Sequence, residues 1–232
     1  MKLEILPDGE AVARRAADIV ATLAREAVAA RGQFLLAMSG GSTPWRMMQL
    51  LALSDVPWQQ AHIFQVDERV APAGDPSRNM THLHNGLLVH VPLPQGQLYE
   101  MPVGNVDLAA AADGYAATLA KIAGIPAVLD LVHLGLGIDG HTASLVPGDP
   151  VLEAGDRDVA VTQPYQGQRR ITLTFPVINR ARSVLWVVVG ADKRDALSRL
   201  QRGDRSIPAG CVLNSGVTIL ADAAAAGGPP QS

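Results

Sequence analysis

Short apolar runs alternate with helical stretches along this chain, and each run ends in a cluster of glycine or charged residues. Residues 34–38 (Phe-Leu-Leu-Ala-Met) are continuously apolar and too few for a helix, and Ser39-Gly40-Gly41-Ser42-Thr43 follows at once, then Pro44. The pattern predicts strand, glycine loop, helix, with Pro44 at the first helical position. Residues 63–66 form a second run ending in Asp67-Glu68-Arg69, with a helix predicted over 77–88. A third, 129–136, ends in Gly137-Ile138-Asp139-Gly140-His141, and a fourth, 183–189, ends in Gly190 and a helix through Leu200. Before them, Val12, Ala16, Ile19, Val20, Leu23, Ala27 and Val28 recur at helical steps over 10–31, and Gly32 closes the run. Residues 170–175 (Arg-Ile-Thr-Leu-Thr-Phe) alternate, which predicts a further strand near an edge. Crossover helices between apolar strands must hide the sheet from water, so the class is α/β with a parallel sheet covered on both faces. In such folds ligands gather outside the carboxyl ends of the strands, where these polar clusters fall.

A chain of 232 residues is expected to form one domain, here 1–222, followed by an Ala-, Gly- and Pro-rich tail over 223–232 that is expected to fray. A net charge of −3 without a Lys/Arg cluster excludes a nucleic-acid footprint, and no segment reads as a signal peptide or membrane span. Cys211 is the only cysteine, so no intramolecular disulfide or CxxC pair exists. These features predict a cytoplasmic protein, a monomer or weak homodimer. His82 and His84 lie two apart on a predicted helix and share no face, so no metal site and no cofactor are expected. Asn79-Met80-Thr81 matches a glycosylation sequon by chance, and His133, inside an apolar run, reads as a core histidine.

Ser39, Gly40, Gly41, Ser42 and Thr43 place two glycines where a strand turns into a helix, so backbone N–H groups can approach an anion while two hydroxyls add donors. The loop is neither a Walker loop nor GxGxxG. Asp67 and Arg69 sit at a strand end, where a guanidinium can fork onto phosphate or carboxylate. Arg78 and Asn79 either join that site or cap the helix. Asp139 and His141 stand two apart in a glycine-rich loop, the arrangement in which an acid sets the tautomer of a general base. Arg169, Arg170 and Lys193 supply cations at two further element ends.

Together, Ser-Gly-Gly-Ser-Thr-Pro at 39–44, Val-Asp-Glu-Arg at 66–69, Ser-Arg-Asn-Met at 77–80, Gly-Ile-Asp-Gly-His-Thr-Ala-Ser-Leu-Val-Pro at 137–147, Arg-Ile-Thr-Leu-Thr from 170 and Gly-Ala-Asp-Lys at 190–193 resemble the family of 6-phosphogluconolactonases and glucosamine-6-phosphate isomerases/deaminases. The resemblance runs through most of the chain. It implies a Rossmann-like three-layer α/β/α sandwich, a phosphate pocket at 39–44 completed by the later Arg and Lys positions, and a phosphorylated sugar lactone as substrate. It also implies that His141 activates water, with Asp139 or Asp67 beside it. The deaminase branch carries a Glu soon after the His, whereas Ala143-Ser144-Leu145-Val146-Pro147 stands here. That departure favours the lactonase branch over the isomerase/deaminase branch, and the presence of both Asp139 and His141 argues against a non-catalytic sugar-phosphate sensor.

Overall fold

The computed structural model describes residues 1–213 and 215–228, without the side chains of Ser42 and Thr43. It opens on a strand the sequence pattern does not announce, β1 (Lys2–Leu6). Asp8 then caps α1 (Gly9–Arg31) by accepting from the Ala11 amide at 2.8 Å, and Gly32 ends the helix at φ 77°, a left-handed conformation without cost for glycine. In chain order follow β2 (Phe34–Met38), α2 (Ser42–Leu51), β3 (Ala61–Gln65), β4 (Asp67–Arg69), α3 (Asn79–Gly86), β5 (Leu98–Tyr99), α4 (Leu108–Ala123) and β6 (Leu131–Leu134). The remainder is β7 (Val159–Val161), β8 (Arg170–Leu173), α5 (Phe175–Arg180), β9 (Ser183–Val188), α6 (Arg194–Gln201) and β10 (Val217–Asp222).

The main sheet runs β1-β10-β9-β6-β2-β3-β5, and every pairing in it is parallel. Its inner strands bury both faces, which is why they read as unbroken apolar runs. Phe34, Leu36 and Met38 of β2 pack with Val20 of α1, Met47 of α2 and Leu83 of α3 on one side. Leu35 and Ala37 pack with Leu119 of α4, Ile178 of α5 and Leu197 of α6 on the other. This is the expected three-layer α/β/α arrangement with a mostly aliphatic core. No described helix is long and apolar enough to cross a membrane.

Chain connections leave β2 toward β3 on one side and β6 toward β9 on the other. A crevice opens beyond the carboxyl ends of two adjacent strands whose connections diverge in this way. The 39–41 loop and the 135–141 loop both border it.

Several local expectations change. Residues 170–173 are not an edge strand of the main sheet but the centre of a second, antiparallel sheet, β4-β8-β7, and all four are buried. Their alternation separates Ile171 and Leu173, which enter the core, from Arg170 and Thr172 on the other face. The helix expected over 77–88 is confined to Asn79–Gly86. Pro44 occupies the third position of α2 rather than the first, since Gly41 is the N-cap; its missing N–H still removes no intrahelical bond. In the segment expected to fray, Ala225 is buried and its amide donates to Asp222 Oδ1 at 2.8 Å within a turn over 223–228. Residues 229–232 lie outside the described residues.

Candidate active site

A cleft of about 240 Å³ occupies the crevice, lined by Ser39, Gly40, Gly41, Pro44, Asp67, Arg69, Asn79, Gly135–Gly137, His141, Ala143, Arg170, Val187–Val189 and Lys193. This lies below the ~300–1,000 Å³ usual for drug-sized ligands and suits a small polar molecule.

The glycine loop forms one wall. Gly41 sits at φ 122° as the N-cap of α2 and brings no capping side chain of its own, and the amides at a helix start favour an anion. Gly40 is required for a different reason: a Cβ there would overlap the Asn79 amide. Beneath the loop the Ser39 amide donates to Nδ1 of fully buried His133 at 3.3 Å, so that histidine supports the turn from the core. The expected hydroxyls of Ser42 and Thr43 lie outside the described side chains.

The small sheet forms the second wall. Register pairs Arg69 with Arg170 and Asp67 with Thr172. Paired residues and residues two apart share a face, so all four point the same way. Glu68 points oppositely and is fully buried. It accepts from the amides of Arg69, Asn79 and Met80 and from Gln65 Nε2, each at 2.8 Å, and so caps α3. Arg78 is drawn to the same carboxylate, Nε to Oε2 at 3.4 Å, and does not line the cleft. Its neighbour Asn79 does, donating to Asp67 and accepting from Arg69. Buried in this way, Asn79 cannot serve the sequon. Arg169 also falls outside the cleft, exposed, with Nε on the Thr162 carbonyl at 3.5 Å. One residue along a strand reverses the direction of the side chain, which separates it from Arg170.

The 135–141 loop forms the third wall. Nδ1 of His141 lies 2.6 Å from Asp139 Oδ1, and the His141 amide donates to the same oxygen at 3.1 Å. Asp139 stands behind the ring rather than on the cleft wall. Asp67, the other acid expected beside His141, is instead engaged by Ser144 Oγ at 2.6 Å and Asn79 Nδ2 at 3.2 Å. Gly137 packs directly on the imidazole, where a Cβ would overlap the ring. Burial works against charge on Asp139, but the His141 amide and ring and the Tyr165 hydroxyl outweigh it and hold the carboxyl below its ordinary value.

Arg170 is buried to 4 % exposure, yet among the described residues its Nε has no partner and Nη1 reaches Ser144 Oγ at 3.4 Å, while its guanidinium lies 5.0 Å from the Tyr165 ring centre. Burial pushes this group below the ordinary arginine value, with Asp67 opposing and Arg69 reinforcing the shift. A buried cation without a carboxylate partner is costly and is relieved by an incoming anion. Lys193 adds charge from the turn after β9, with Asp192 at 3.2 Å; buried Asp222 accepts from the Gly190 amide at 3.1 Å at the start of that turn. Among the described residues no three His, Cys, Asp or Glu side chains converge to hold a metal ion.

Thus Ser39, Gly40, Gly41, Asp67, Arg69, His141, Arg170 and Lys193 converge, with Asp139 behind, while Arg78 and Arg169 do not. Ser144 and Tyr165 are not singled out by the sequence, which leaves Asn79 open between the site and a helix cap. For Asn79 a signal existed in its place beside Arg78; for Ser144 and Tyr165 only the folded contacts reveal a part.

Residues 7–220 match the family model described as glucosamine-6-phosphate isomerases/6-phosphogluconolactonase. A 6-phosphogluconolactonase of Synechocystis is 38% identical over 203 residues, covering 86% of this chain and 84% of that protein. One from Nostoc is 35% identical over 231 residues, 96% of each chain. The crystal structure of 6-phosphogluconolactonase from Thermotoga maritima superposes with a TM-score of 0.86 at 25% identity, covering 95% of this chain and 98% of that one.

Proposed function

Since the chain belongs to the family of glucosamine-6-phosphate isomerases and 6-phosphogluconolactonases, we propose that it hydrolyses 6-phospho-D-glucono-1,5-lactone to 6-phosphogluconate. The observation that carries this reading is the His141–Asp139 pair on one wall of a cleft whose other walls hold Arg69, Arg170, Lys193 and the glycine turn that starts α2. Asp139 accepts a hydrogen bond from Nδ1–H, which keeps that proton on the ring and leaves the Nε2 lone pair as the base. His141 removes a proton from water as the oxygen attacks the lactone carbonyl, then returns it to the ring oxygen as the carbon–oxygen bond breaks. Such proton transfer accounts for ~3–5 kcal/mol of the barrier. The amides of Gly137, Gly140, His141 and Thr142 bond within their own loop, which favours Arg69 as the partner of the developing oxyanion.

The phosphoryl group belongs at the 39–41 loop and the α2 amides, with Lys193 and Arg170 as counter-charges. Its binding orients the ring against the base and makes attack effectively unimolecular. An amino-sugar isomerase needs a further acid after the histidine, and residues 143–147 provide none.

The test is turnover of freshly prepared lactone by the wild type and by His141→Asn. The variant is expected to lose ~100-fold or more in turnover while still binding the phosphosugar by calorimetry. An unaltered rate removes His141 from the reaction, and ammonia release from glucosamine-6-phosphate would move the chain to the other branch.

A further inference from the structure

Tyr165 stands at the tip of the hairpin joining β7 and β8. It exchanges backbone hydrogen bonds of 3.0 and 3.2 Å with Gln168 across Gln166 and Gly167, whose φ values of 52° and 81° suit the tight turn that matches strand twist. Gln168 Nε2 reaches Ser77 Oγ at 3.4 Å and ties this tip to the loop before α3. From there the Tyr165 hydroxyl donates to Asp139 Oδ2 at 3.2 Å, the oxygen that His141 does not use. Its ring stands edge-on to the His141 imidazole, centroids 5.7 Å apart, and beside the Arg170 guanidinium.

A carboxylate turns readily about its last side-chain bond, and one held oxygen does not set its plane. Two oxygens held from different elements do. We infer that Tyr165 is a positioning residue: its hydroxyl fixes the Asp139 carboxylate and thereby the tautomer and rotation of His141, while its ring seats Arg170 in the cleft. The donor and acceptor states agree with this. Burial, and then the charge of Asp139, push the Tyr165 hydroxyl above its ordinary value, so it stays protonated through the neutral range. Asp139 is held below its own ordinary value and stays an acceptor.

The kinetic consequence rests on the lactone-hydrolysis reading; the geometric one does not. Tyr165→Phe, which keeps the ring, is expected to lower kcat about 10-fold with KM within about 2-fold, the worth of a hydrogen bond to a charged group. Tyr165→Leu, which also removes the surface beside Arg170, is expected in addition to raise KM about 5-fold. A substrate-free measurement separates the two levels: ¹⁵N NMR of the His141 ring should show one Nδ1–H tautomer in the wild type and a tautomer mixture in Tyr165→Phe. An unchanged ring spectrum overturns the inference whatever the rates. A changed spectrum with unaltered kcat overturns its kinetic part. A wild type that binds phosphosugar but opens no lactone refutes the hydrolytic reading and leaves the ring spectra to decide on Tyr165.

Discussion

Replacing Gly137 by alanine perturbs the His141–Asp139 pair without altering either member. Gly137 does not occupy a positive-φ conformation, so alanine adopts its backbone without strain, and the effect is steric alone. A Cβ would overlap the His141 ring at Nδ1 and Cε1 and would lie 2.6 Å from Asp139 Oδ1. To regain a separation of ~3.5 Å the ring must retreat by more than ~1 Å, and the 2.6 Å bond to Asp139 cannot survive that movement. A displacement of this size at reacting atoms costs about 100-fold, or about 2.7 kcal/mol of barrier. The His141 side chain is 26% exposed, so it yields toward the cleft rather than breaking the core. Loss of unfolded-chain freedom offsets part of the clash by about 0.4–1 kcal/mol, and at ~2–4 °C per kcal/mol the expected change in Tm is no more than ~3 °C. Progress curves on fresh lactone, beside a thermal scan of the same preparation, give both quantities. Wild-type kcat in a normally folded Gly137→Ala protein would refute the account of how His141 is held.

Arg170→Met is expected to raise KM for the phosphorylated lactone ~10–100-fold, as befits a lost charge-assisted bond, whereas Arg169→Met should stay within about 2-fold; equal losses in the two variants, or equal losses on unphosphorylated lactone, would reject the phosphate clamp. Burial pushes the His133 imidazole from 6.5 down to about 4. Below pH 6.5 the unfolded chain therefore gains a proton that the folded chain refuses until about 4, and stability present above 6.5 falls by about 3 kcal/mol across that window. His133→Asn, which retains an acceptor for the Ser39 amide, should flatten this decline in urea midpoints measured from pH 7 to 4; parallel slopes for variant and wild type would show that His133 is not its source.

The strand, glycine-loop and helix units were legible in sequence because a parallel strand buried on both faces must be apolar throughout and a sharp turn at its end calls for glycine. The 34–38 run and the Gly137–His141 loop carry both signals in a few adjacent residues. β4 carries neither. Its three charged residues become strand-like only when Thr172 and Arg170 pair with them and Asn79 and Ser144 satisfy Asp67. The same dependence separates Arg170 from Arg169 and Asn79 from Arg78, since adjacent side chains diverge and sequence alone does not say which one faces inward.

What the order of residues determined by itself was the α/β class, the two glycine loops and the nearness of Asp139 to His141, all consequences of short-range geometry. Which acid holds the imidazole, which cations share the cleft, and that Tyr165 reaches Asp139 across 26 residues were decided by strand order and register. Those depend on burying whole faces against one another, a property of the folded chain that no local window of sequence contains.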